Sequence, residues 1–193
     1  MAGAIYSGFA MVLTLAIPIR KYYGLEDMVT DRHLDIMAKV MLATGVIVAY
    51  GYAMETFMAF YSANPYDRYM IMNRMVGPYA GLYWMLIACN IVIPQALWSG
   101  RVRRNIPALF AISLVVNVGM WLERFVIVVV SLSRDFMPSA WGMYYPTKWD
   151  WATYAGTFGL FFTLFYLFIR FLPMISIVEV RSLVHETSEE KHS

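Results

Sequence analysis

Between positions 106 and 132 the chain carries only two charged residues, Glu123 and Arg124, side by side in an otherwise apolar run. A run of this length exceeds the roughly 20 apolar residues with which an α-helix crosses a bilayer. Four further runs of the same kind occupy residues 2–19, 34–63, 76–98 and 151–172. Composition agrees: 60% of the residues are hydrophobic and 15% charged, against about 45–50% and 25% in soluble domains. The expected fold is therefore an all-α membrane protein with five transmembrane helices in one domain over residues 1–172, followed by a short polar tail over residues 173–193.

The intervening stretches, residues 20–33, 64–75, 99–105 and 133–150, collect Pro, Asn, Asp and Arg and read as loops. Their Lys and Arg residues are unevenly shared. Arg20, Lys21, Arg32, Arg101, Arg103, Arg104, Arg170, Arg181 and Lys191 fall on one side, against Arg68, Arg74, Arg134 and Lys148 on the other. By the positive-inside rule the carboxyl terminus is expected in the cytoplasm and the 133–150 loop outside. The first run has no basic leader and no small-residue cleavage site, so it is expected to be retained as a helix. A single cysteine, Cys89, lies in an apolar run and offers no disulfide framework. No basic patch interleaved with aromatics points to nucleic acid.

A charge at mid-membrane costs at least about 2.5 kcal/mol, so such residues face a bundle interior or water and find partners. Glu123 and Arg124 point about 100° apart on a helix and must serve different neighbours. Ser113, Asn117, Arg124 and Ser131 are spaced by four, seven and seven positions, which predicts one polar stripe. An interhelical clamp and a ligand- or proton-handling role both fit it. On the second run, Asp35 and Lys39 are four apart and can pair, with Tyr50 returning to their face. Glu55 lies roughly 30 Å from Asp35 at 1.5 Å per residue. These groups suit either a proton path or the anchoring of helix ends.

Haem within the helices would need histidine ligands there. The three histidines are His33, at a helix start, and His185 and His192 in the tail, so no cofactor is expected inside this chain. Pro107 reads as a first-turn proline, and Pro94 with Asn90 and Gln95 suits either packing or the lining of a cavity. The stretch SRDFMPSAWGMYYPTKWDW is dense in Trp, Tyr and Pro. It fits an interfacial aromatic belt or a docking surface for an extrinsic protein.

Three stretches, RHLDIMAKVMLATGVIVAYGYAMETFMAFYSANPYDRYM, NVGMWLERFVIVVVSLSRDFMPSAWGMYYPTKWDW and RFLPMISIVEVRSL, resemble the NrfD-like (polysulfide reductase) integral membrane family. More narrowly they resemble the ActC and ActF type of subunit in alternative complex III. The resemblance implies the carboxyl-terminal half of such a subunit: a four-helix bundle plus a flanking last helix, in a bacterial inner membrane. It implies a quinol-oxidising respiratory complex, with quinol as substrate and electrons passing to an extrinsic iron–sulfur subunit. Multihaem cytochrome subunits and a homologous membrane subunit are the other implied partners, and the iron–sulfur and haem centres belong to partners. On that reading Asp35, Lys39, Glu55 and Glu123 are candidates for proton transfer, and Arg124 and Asn117 for the edge of the quinol pocket. A structural membrane anchor and a small transporter are the competing functions.

Overall fold

The computed structural model describes residues 1–26, 28–134 and 137–172. Every regular element among them is helical, and five helices are long and apolar enough to cross a membrane. The chain is an all-α membrane fold, as its apolar runs predict. The elements are α1 (Ala2–Tyr23), α2 (Asp31–Tyr61), α3 (Pro65–Val76), α4 (Ala80–Trp98), α5 (Gly100–Arg104), α6 (Ile106–Ser133) and α7 (Lys148–Phe171). They fall into two compact units, Met1–Met143 and Tyr144–Ser193. The expected tail lies outside the described residues.

Local sequence sets where the helices begin and end, and it moves several boundaries from those expected. Gly24, in the left-handed region at φ 65°, closes α1 by donating its N–H to the Arg20 carbonyl, a conformation that glycine adopts without a Cβ penalty. Thr30 opens α2: its backbone N–H donates to His33 Nδ1 at 3.2 Å, and its hydroxyl lies 2.8 Å from the same nitrogen. Residues 64–75, expected as a loop, are instead largely the short helix α3. Asn64 caps it by accepting from the Tyr66 N–H, and Pro65 stands at its first position, where a missing N–H costs nothing. The same device opens α6 with Asn105 and Pro107.

In the first unit α1 packs on α2 and α6, and α4 packs on α2 and α6, so the four long helices form a ring in the order α1, α2, α4, α6. Two apolar clusters fill it. One gathers Tyr6, Leu13, Leu34, Met41, Leu97, Leu109, Val116 and Met120; the other gathers Tyr79, Tyr83, Leu86, Leu122, Val126 and Val130. The outward positions are also apolar, with Val46 and Ile47 on α2 and Leu114 and Val118 on α6 exposed. An apolar exterior over an apolar core is the pattern of a bundle solvated by lipid.

Two helices leave the α-helical path inside the membrane. In α4 a π-helical turn, Ala88–Val92, gives way to a 3₁₀ segment, Ile93–Trp98; in α6 a π-helical turn occupies Val126–Val130. Such turns recur at functional sites. The second unit contains α7, opened by a capping box in which the Asp150 carboxylate accepts from the Thr147 N–H at 2.7 Å. Along it Tyr154, Phe158 and Phe162 form an edge-to-face and tilted ladder, with Phe161 stacked on Phe165.

Candidate functional site: a polar crossing at the bundle axis

Glu123 turns inward. Its carboxylate accepts a hydrogen bond from the Tyr52 hydroxyl, which in turn accepts from Asn90 Nδ2 at 3.2 Å. The Asn90 carbonyl accepts from the Tyr6 hydroxyl, also at 3.2 Å. Four residues from four helices thus meet in one chain. Its contacts join α2 to α6 and α1 to α4, the pairs that face each other across the ring. The crossing lies between the two apolar clusters, since Tyr6 and Met120 belong to one, and Leu122 and Val126 to the other. Tyr6 and Asn90 are fully buried.

Each partner is available for a local reason. Pro94 has no N–H to give the Asn90 carbonyl four residues before it, and that carbonyl accepts from Tyr6 instead. Asn90 itself sits in the π-helical turn of α4. Gly119 lets its amide approach α6: a Cβ there would lie 2.1 Å from Asn90 Oδ1 and 2.8 Å from Cys89 Cβ. Asn90 Oδ1 is buried without a hydrogen-bond partner among the described residues. Sequence reading singles out Glu123 by its charge and Asn90 by its proximity to Pro94. It misses Tyr6 and Tyr52, whose only signal is a hydroxyl within an apolar run.

The remaining candidates occupy separate places. Asp35 pairs with Lys39 at 2.6 Å, as their spacing predicts, and also with Arg103 Nε at 2.8 Å. Arg103 further donates to the carbonyls of Leu97 and Trp98 at 2.7 and 3.1 Å. The group ties the start of α2 to the end of α4. Tyr50 is exposed and does not extend it. Glu55 pairs at 2.8 Å with the buried Arg74 of α3, which also reaches Ser131 Oγ at 3.4 Å.

The expected stripe on α6 does not form a single seam. Ser113 donates to the Leu109 carbonyl of its own helix, and Asn117 Nδ2 donates to Thr14 Oγ1 on α1 at 3.0 Å. Arg124 is exposed. With Glu123 facing Tyr52, the next residue is turned about 100° away from the axis. Ser131 reaches Arg74 because the π-helical turn between it and Arg124 changes the register on which the seven-residue spacing relied. Of the two readings for Pro94, Asn90 and Gln95, packing holds for Asn90 and Pro94, which lie in the core, while Gln95 donates to the Ile91 carbonyl and accepts from Trp98 Nε1.

No family model matches the chain, and no curated protein is significantly similar to it. What the crossing can do follows from its donors and acceptors. An amide nitrogen only donates, so Asn90 fills a lone pair of the Tyr52 oxygen and leaves the Tyr52 proton directed at Glu123. The carboxylate is thereby held as an acceptor at the bundle axis. Proton handling by a membrane-buried acid is chemistry this arrangement supports.

Proposed function

We propose that the chain is a membrane subunit of a quinol-oxidising respiratory complex of the NrfD-like kind, in which Glu123 accepts and passes on a proton while electrons leave to an extrinsic iron–sulfur partner. The observation that carries this reading is the Glu123–Tyr52–Asn90 arrangement, taken with the resemblance of the three long stretches to that family. Oxidation of a quinol releases protons as well as electrons, and a membrane-embedded carboxylate aligned by a tyrosine hydroxyl is a suitable acceptor. Asn90 acts as a positioning residue. Arg124, exposed one position beyond Glu123, meets the quinol from the side of the homologous membrane subunit, and Asn117 braces α6 against α1. Asp35, Lys39 and Glu55 belong to the approaches of the proton path at the two ends of the bundle.

A second reading, a structural anchor without chemistry of its own, is favoured by the ion pairs: Asp35 is held from two sides and Glu55 is held by Arg74. The two readings separate in the assembled complex. Glu123→Gln should lower proton-coupled quinol turnover by on the order of 10²-fold, the contribution of a general base, and Tyr52→Phe should act in the same direction, with the abundance of the complex unchanged. Loss of the complex with unchanged turnover per assembled molecule would establish the anchor.

A further inference from the structure

A cleft of about 480 Å³ opens where α3 meets the last turns of α6, a size that suits a small-molecule head. Tyr66, Tyr69 and Met70 wall it on one side, and Val130, Ser131 and Arg134 on the other; Trp141 closes an edge. The Tyr69 and Trp141 rings stack with centroids 6.4 Å apart, and the exposed Arg134 guanidinium lies 5.5 Å over the Trp141 ring. Among the described residues no carboxylate lines the cleft. Behind Ser131 stands the buried Arg74, its charge offset by Glu55. Arg134 is the one charged residue among the described lining residues, and Ser131 and the two tyrosines add hydroxyls.

Position narrows the ligand further. The cleft lies at the end of the bundle where α2 finishes and α4 begins, beside the ends of the long apolar helices α2 and α6, where a helix that crosses a bilayer would meet lipid heads. Aromatic residues and arginines gather at that depth. A cationic donor set beside Met70 and Val130 fits a molecule with an anionic head and an apolar tail. Guanidinium and hydroxyl donors suit phosphate oxygens in particular.

We infer that this cleft binds the phosphate head of an anionic phospholipid, with Arg134 and Ser131 on the phosphate and the acyl chain leaving past Met70 and Val130. The inference is independent of the proposed quinol chemistry. Native mass spectrometry of the full chain in neutral detergent tests it, using phosphatidylglycerol, phosphatidylcholine with the same acyl chains, and inorganic phosphate as probes. One phosphatidylglycerol should be retained per chain in preference to phosphatidylcholine. Arg134→Gln should weaken its binding roughly tenfold, the effect of one charge-assisted hydrogen bond, and Arg134→Lys should keep most of it. Met70→Trp, which fills the cleft from its apolar side, should exclude the lipid without altering the charge. Equal retention of the two lipids, or wild-type binding of phosphatidylglycerol by Arg134→Gln, would overturn the inference. Displacement of the lipid by millimolar inorganic phosphate would assign the cleft to free phosphate and overturn the lipid reading.

Discussion

At Gly119 the bundle has room for a hydrogen and nothing larger, because Asn90 Oδ1 and the Cys89 side chain occupy the space a methyl would need. Gly119→Ala should therefore lower stability by about 1–3 kcal/mol, the cost of overpacking a core, and lower the melting temperature in detergent. Gly51→Ala provides the contrast. Nothing lies within 4 Å of a Cβ at Gly51, so the gain in helix propensity, up to about 1 kcal/mol, should leave the melting temperature unchanged or raised. The same contrast shows what single residues disclose in advance. Glu123 announces itself because charge is expensive in an apolar run, whereas Gly119, Tyr6 and Tyr52 look ordinary until another helix is set against them.

The two π-helical turns do for whole helices what Gly119 does for one contact. In α6 the turn Val126–Val130 widens the helix just before Ser131, and Ser131 then reaches Arg74 and lines the cleft. Inserting one alanine between Val130 and Ser131, beyond that turn, should rotate Ser131 and Ser133 by about 100°. The expected result is loss of the Arg74–Ser131 contact, lower thermal stability and loss of phosphatidylglycerol retention, read by melting and native mass spectrometry. Helix boundaries are more legible than such turns. Asn64–Pro65 and Asn105 with Pro107 are start signals that local chemistry alone explains. Residues 64–75 read as a loop in the sequence because the polar residues of that stretch outweigh the cap in front of it. No comparable local signal marks Val126–Val130, a run of β-branched residues that an ordinary helix would accept.

At the scale of the molecule, Lys and Arg predict the orientation, with nine on the side of the carboxyl terminus and four on the other. A reporter fused after Ser193 should be active only in its cytoplasmic form, and periplasmic activity would invert the assignment. The five spanning helices follow from the sequence by itself. Apolar length is a property of each segment, and in lipid a segment that pairs its own backbone needs no neighbour to become a helix. The Asp35–Lys39 pair follows as well, since both residues lie on one helix four positions apart. Only the tertiary structure decided that Arg103 completes this pair, that Arg74 takes Glu55, and that Tyr52 and Asn90 meet Glu123 at the axis. Those contacts join residues 19 to 71 positions apart, and their partners are chosen by the order of helices round the ring and by the rotation of each helix about its own axis. Neither quantity is a property of any one segment. Arg124 makes the point at one position: its charge is written in the sequence, but its outward direction was fixed when Glu123 took the inward one.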